Sequence, residues 1–310
     1  MSVMSVIMIF VDGIGIGEFD RAKNPFARFP SPYFPKFADS KKTRSLPSAG
    51  RVIATDASMG IKGLPQSATG QTALLTGTNS AKRLGRHLPG FPTLTLQKIL
   101  SNDSIFLKLE KSGKTATFAN AFTQEYFERS TRTISATTWS VKASSFPFRM
   151  IRPELVRDEA ISHDLTNHFL NKMGFEVPIR TPEKSADILV RIAEAVDFCL
   201  FEYFLTDRIG HAQDMNQAEH EIDKLTRFLD RTLQSLNLAD NTVLLTSDHG
   251  NFEDLSVATH TTNQVPTMIW GRHRHFFASR IKKIEDVSPA IFDSLQNGSR
   301  TVEARSPLSS

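Results

Sequence analysis

LLTSDHGNFED, residues 244–254, decides how this chain is read. A short apolar run ends abruptly in Asp248-His249-Gly250. An apolar run of this length reads as a buried strand. Two metal-binding side chains directly after it stand at the carboxyl edge of a sheet, where open α/β folds keep their sites. The competing reading is local: Asp248 caps a helix and His249 is a surface histidine. The rest of the chain decides between the two.

Two further apolar runs end the same way. Residues 3–11 stop at Asp12, followed by Gly13, Gly15 and Gly17, and residues 198–206 stop at Asp207, with His211 four positions on. If a helix begins there, that spacing puts both side chains on one face, able to reach one ion. A third histidine, His260, follows in ATHTTNQVPTMIWG before a last strand over 266–270. Strand-then-aspartate at three edges is hard to assign to capping. Asp12, Asp207, His211, Asp248, His249 and His260 make a set of hard and borderline ligands suited to two divalent ions such as Mn²⁺ or Zn²⁺. The glycines after Asp12 do not form a dinucleotide fingerprint, because the third would fall on Glu18. SGKT at 112–115 is not a phosphate loop, because Lys108 stands where its first glycine belongs.

Between these runs, strand and helix patterns alternate. Strands are expected over 51–55 and 115–120, and helices over 68–76, 94–100, 182–196, 216–236 and 287–295, the 182–196 helix opened by Thr181-Pro182-Glu183. The pattern predicts an α/β fold, a mostly parallel sheet sandwiched between helices. Its core is expected over 1–120 and 181–296, with a small inserted cap over 121–180 and a disordered polar tail over 297–310. In GLPQSATGQTALLTGTN, Ser67 stands at the amino end of the predicted helix, where unpaired N–H groups and the helix dipole favour phosphate and stabilise an alkoxide. An ordinary N-cap explains Ser67 equally well.

Composition sets the outer limits. The 310 residues are 23% charged and 40% hydrophobic with a net charge of +4, and the basic residues are scattered. That balance suits a small anionic substrate better than a nucleic-acid groove. The single cysteine, Cys199, lies in an apolar run, which excludes an intramolecular disulfide. The start lacks a basic segment and a cleavage site, and no stretch approaches the length of a membrane span, so a cytoplasmic location is expected.

VDGIG, QSATGQTALLTG, TDRIGH, SDHGN and HTTNQVP, in that order, resemble the alkaline phosphatase superfamily of two-metal enzymes, especially the branch containing cofactor-independent phosphoglycerate mutase and phosphopentomutase. The resemblance implies that Asp12, Asp248 and His249 hold one ion beside the nucleophile, and that Asp207, His211 and His260 hold the other. It places the nucleophile on Ser67, with Thr69 as the fallback if the turn is offset. A phosphoserine intermediate would then pass its phosphoryl group to water or back to the substrate.

Two departures favour water. The mutases carry Gly-His shortly after the nucleophile, where this chain has Gly70-Gln71, and phosphoglycerate mutases carry a much larger insertion. A small cap encloses an intermediate less completely. The expected activity is therefore hydrolysis of a small anionic phosphate ester. A phosphomutase or phosphodiesterase is the alternative, and a non-catalytic metal-binding protein retaining the fold is the second. Arg83, Arg86 and His87, after the nucleophile helix, and Arg208, beside Asp207, are the candidate substrate contacts.

Overall fold

Val6–Val11 (β1) is buried along its whole length, which requires strands on both sides and covering layers on both faces. The computed structural model describes residues 4–34, 36–39 and 45–303, with side chains through 296. The other strands of the main sheet are Arg51–Thr55 (β2), Ala116–Phe118 (β3), Phe198–Tyr203 (β6), Thr242–Thr246 (β7) and Val265–Gly271 (β8). Ala121–Phe122 (β4) and Arg149–Met150 (β5) form a separate parallel pair. The six-stranded order is β2-β8-β7-β1-β6-β3. β1 lies parallel to β6 and β7, and β6 parallel to β3, while β8 runs antiparallel to both β7 and β2. The sheet is thus mostly parallel, with the carboxyl ends of β1, β6 and β7 side by side at one edge.

Alternation along the strands builds two cores. Ile7, Ile9 and Val11 pack with Cys199, Phe201, Val243 and Leu245 against Leu189, Leu225 and Phe228, from the helices Pro182–Ala193 and Met215–Ser235. Val6, Met8 and Phe10 pack on the other face with Leu200, Leu244, Ala73 and Leu74, the last two from the helix Ser67–Thr76. Helices on both faces bear out the expected sandwich. Thr181 caps the 182–193 helix as expected, its side chain accepting from the Lys184 N–H.

Several boundaries differ from expectation. The run ending at Asp207 does not stay extended: β6 stops at Tyr203, and Asp207 lies in the first turn of the helix Leu205–Ala212. An acid there is favoured by the helix dipole. Thr206 fixes the turn by donating to the carbonyl of Asp12 over 2.5 Å. The last helix runs Val287–Glu303, so it extends through 297–303 of the segment expected as a disordered tail; residues 304–310 lie outside the described residues. Within 121–180, the helix Ala136–Lys142 packs on the Ser67–Thr76 and Leu94–Asp103 helices of the main body. Ile151, Leu155, Ala160, Leu170 and Val177 form a small core of their own. Among the described residues, no helix is long and apolar enough to cross a membrane.

Candidate metal centre

The fold brings the six predicted ligands together in two clusters. Asp12, Asp248 and His249 form one, and Asp207, His211 and His260 the other, with the ligand atoms of each within 4.8 Å of one another. His249 Nε2 lies 3.2 Å from Asp12 Oδ1 and 3.5 Å from Asp248 Oδ2. In the second cluster, Asp207 Oδ2 stands 3.4 Å from His211 Nε2, and Asp207 Oδ1 stands 3.5 Å from His260 Nε2. The rings of His249 and His260 stack at 3.7 Å and 14°, joining the clusters.

Donor chemistry tests whether these groups suit a cation. His211 Nδ1 lies 2.8 Å from the Ala258 carbonyl and His260 Nδ1 lies 2.9 Å from the Pro65 carbonyl. A carbonyl only accepts, so each Nδ1 carries a proton and Nε2 is the ring atom that each histidine turns toward the cluster. Those two Nε2 atoms are 3.2 Å apart. Two ring nitrogens converging at that distance can share one cation. Asp248 is fully buried, and neither of its carboxylate oxygens accepts a hydrogen bond. An orphaned buried carboxylate is costly unless a cation compensates it, so both clusters fit divalent metal.

Electrostatics agree. Burial pushes the His249 imidazole down, but the carboxylates of Asp248, Asp12 and Asp207 outweigh it and raise it to about 10. Burial and then Asp248 hold the Asp12 carboxyl well above its ordinary range. Burial and the neighbouring His249 lower His260.

Ser67 opens its helix as the first residue after the N-cap position, Gln66. Its Oγ is 3.0 Å from His249 Nε2, so the hydroxyl and the first cluster meet at the amino end of the helix. Thr69, the fallback, is fully buried; its hydroxyl donates to the Gln66 carbonyl at 3.1 Å and accepts from the Leu88 N–H at 3.2 Å. Of the two hydroxyls, it is that of Ser67 which lies within hydrogen-bond distance of a cluster residue. Arg83 and Arg86 are exposed around the end of the helix Ser80–Leu84. His87 Nε2 lies 3.2 Å from the Ile61 carbonyl, which ties the 85–90 loop to the one preceding Ser67. None of these three contacts a ligand residue through a hydrogen bond or ion pair. Arg208 is exposed beside Asp207, with its guanidinium 5.9 Å from the centre of the Phe169 ring.

Other residues around the centre act by holding the ligands. Gln71 Nε2 donates to Asp12 Oδ2 at 3.2 Å, and Asn251 Nδ2 to Asp207 Oδ1 at 2.7 Å. Buried Glu253 accepts from the Gly15 N–H at 2.7 Å, the Asn251 N–H at 2.8 Å and Asn263 Nδ2 at 3.0 Å, and from the Thr261 hydroxyl. One carboxylate thereby ties the loops after β1 and β7 to the His260 loop. Gly13, at φ +74°, leaves no room for a Cβ, which would stand 2.8 Å from Asp207. Glu202, inside β6, accepts from the Thr137 hydroxyl at 2.8 Å; burial, with a smaller push from Asp248, raises it to about 7. Asn251 and Glu253 lie within the stretch that opened the reading, so their closeness to the site was legible. Glu202 carried no signal, being one acid in an apolar run.

Residues 171–297 match the family model described as Metalloenzyme superfamily. A 2,3-bisphosphoglycerate-independent phosphoglycerate mutase of Desulforudis audaxviator is 31% identical over 124 residues, 37% of this chain and 24% of the relative. The matched region thus spans about a quarter of that relative's length. The PH0037 protein of Pyrococcus horikoshii shares the fold at a TM-score of 0.56, with 16% identity over 96% of this chain and 98% of that one. A phosphoglycerate mutase of Leishmania mexicana does so at 0.54, with 10% identity over 88% and 90%. Residues 171–297 thus resemble a family whose description implies divalent-metal binding, and the fold as a whole is shared with the PH0037 protein and the Leishmania phosphoglycerate mutase. In sequence, the matched region resembles cofactor-independent phosphoglycerate mutases.

Proposed function

We propose that the protein is a metal-dependent phosphomonoester hydrolase in which Ser67 takes up the phosphoryl group. The observation that carries this reading is the position of Ser67 Oγ, 3.0 Å from His249 Nε2 at the amino end of a helix. Asp12, Asp248 and His249 would hold one divalent ion, Mn²⁺ or Zn²⁺, and Asp207, His211 and His260 a second. When bound, such ions neutralise charge on the attacking, transferring and leaving oxygens.

The chain's own groups supply the rest. The helix dipole favours the developing negative charge at Ser67 and the phosphoryl oxygens. Gln71 and Asn251 keep Asp12 and Asp207 in place. Ser67 Oγ bonds to phosphorus as the ester oxygen leaves with its electron pair, and the proton that Ser67 gives up ends, through solvent, on that leaving oxygen to make the free alcohol. Water then cleaves the Ser67–phosphoryl bond, restoring the hydroxyl and releasing inorganic phosphate.

Access for that water separates hydrolysis from transfer back to the substrate. The His211 side chain is 46% exposed, so the second cluster opens to solvent. A helix of the inserted segment packs on the main body, leaving less chain to enclose the site. Both features support hydrolysis. The sequence relatives, which are phosphoglycerate mutases by name, favour a phosphomutase as the second reading.

The test is hydrolysis of an aryl phosphate by metal-stripped protein refilled with Mn²⁺ or Zn²⁺, beside Ser67→Ala. Expected is metal-dependent turnover that falls by on the order of 10³ or more in the variant, with its metal content unchanged. Metal binding without turnover, together with isomerisation of a phosphorylated sugar or acid, moves the assignment to a mutase. Turnover that survives Ser67→Ala removes the phosphoserine route.

A further inference from the structure

Arg208 lies one residue after a ligand, and no step of the proposed reaction uses it. It and His211 are three positions apart on the helix Leu205–Ala212, neighbours on one helix face. His211 is the most solvent-open of the six ligands. Arg208 therefore stands beside the mouth of the second cluster. It is exposed and forms no ion pair among the described residues.

An unpaired exposed arginine would ordinarily wave in solvent. This one rests on a built shelf. Its guanidinium carbon is 5.9 Å from the centre of the Phe169 ring. The His163 ring meets Phe169 edge-on at 4.7 Å and 72°, and stacks on Phe204 at 4.3 Å and 18°. Phe204 is the N-cap residue of the Arg208 helix, so shelf and arginine are joined at both ends.

Asp164 pins the loop that carries the shelf. It accepts from the Ser162 hydroxyl at 2.5 Å, the Phe169 N–H at 2.8 Å, the Asn167 N–H at 2.9 Å and the Thr166 hydroxyl at 3.1 Å. Its charge is thereby spent on the loop's own donors. Burial lowers His163 to about 4, so at neutral pH the shelf is an uncharged stacking surface.

We propose that Arg208, held on the Phe169–His163–Phe204 shelf, is a specificity-determining residue that binds a second anionic group, carboxylate or phosphate, on the leaving-group side of the substrate. The inference rests on the phosphomonoesterase reading above and names its substrate class: a phosphomonoester that is also an acid. A guanidinium pre-oriented on an aromatic face offers two parallel N–H donors at small entropic cost, which matches a planar carboxylate or a phosphate.

The experiment compares 3-carboxyphenyl phosphate with its uncharged carboxamide on metal-loaded protein. Wild type is expected to prefer the acid at least tenfold in kcat/KM, the difference lying in KM. Arg208→Met should bring the ratio near one, Arg208→Lys should keep part of it, and Phe169→Leu should lower it while the charge remains. A ratio near one in wild type, or one preserved in Arg208→Met, overturns the inference while leaving hydrolysis intact. If neither ester is turned over, the phosphomonoesterase reading fails and calorimetry decides this inference separately. Tenfold tighter binding of 3-phosphonopropionate than of propylphosphonate, lost in Arg208→Met, supports it. Equal or undetectable binding of the two overturns it.

Discussion

Metal binding to the first cluster should release protons in proportion to the charge that the fold has stored on His249. In the metal-free protein this imidazole is raised to about 10. At pH 7 it is therefore an imidazolium, and an ion can coordinate it only after displacing its proton. Three pH units at 1.36 kcal/mol each amount to about 4 kcal/mol, or roughly a 10³-fold loss of apparent affinity at pH 7 relative to pH 10. The apparent association constant should climb about tenfold per pH unit from 6.5 upward. Asp12, also raised, steepens the climb where it still holds a proton.

The second cluster behaves differently. His260 is lowered and brings no proton to be displaced at pH 7. Calorimetric titration of Mn²⁺ into stripped protein, in buffers of different ionisation enthalpy, counts the released protons directly. Expected at pH 7 is at least one proton for the pair of ions, largely kept in Asp207→Asn, where the second cluster is broken and only the smallest of the three carboxylate contributions to His249 is removed, and reduced by about one in His249→Gln, where a proton on Asp12 is the remaining source. Binding with no proton release and a flat pH profile would refute the argument that three carboxylates hold His249 charged.

The same shifts predict how the metal-free fold responds to pH. His249 is raised above its unfolded value near 6.5, so its stabilisation is complete below that pH and is lost as pH climbs towards about 10; the melting temperature of stripped protein should fall across that window, and refilling with metal should flatten the fall. Glu202 is raised from 4.5 to about 7, so stability drains away as pH rises through that interval, by about 3 kcal/mol at most; denaturant titrations of stripped Glu202→Gln should lack this slope, and an unchanged slope would count against a protonated Glu202. Gly70→Ala would put a Cβ 2.8 Å from the Asp248 carbonyl oxygen and 3.0 Å from its Cβ; the backbone cannot yield cheaply, so a loss of about 1–3 kcal/mol with weakened metal affinity is expected from melting and metal titration, and wild-type values for both would show that the Ser67 helix can shift.

The two clusters of candidate ligands were legible because each piece of their signal is local. An apolar run ending in an acid can be read without knowing what lies beside it, and β1 and β7 end where their runs predicted. Asp207 was found with its strand drawn too long, because residues 204–206 are compatible with either state and a tertiary bond, Thr206 to the Asp12 carbonyl, fixes the turn. What stayed hidden depends on distant partners. Glu202 sits mid-strand among apolar neighbours, and the hydroxyl that answers it, Thr137, is 65 positions away. The His163 shelf joins an irregular segment to Phe204 across the fold, and no periodicity announces such a contact. Gln71, read as a departure from the mutase pattern, has a reason only once Asp12 is seen 3.2 Å from its amide.

The centre and the fold form one electrostatic system. Asp12, Asp207 and Asp248 converge from three elements, and each is fixed by bonds that also define the loops: Thr206 to the Asp12 carbonyl, Asn251 to Asp207, and Glu253 across the β1, β7 and His260 loops. Mutual repulsion of three carboxylates would push these loops apart, and in the metal-free state an imidazolium is the cation nearest to hand. His249 carries that charge at the cost of occupying the lone pair that a metal would use, with Ser67 Oγ 3.0 Å away. A divalent ion held by Asp12, Asp248 and His249 would replace one positive charge by two and would need His249 in its neutral ligand form. Filling the first cluster would then tighten the loops that carry Asp207, His211 and His260, so a second ion there should bind with positive coupling, and stripping either should loosen the edge of the sheet on which Ser67 is aligned.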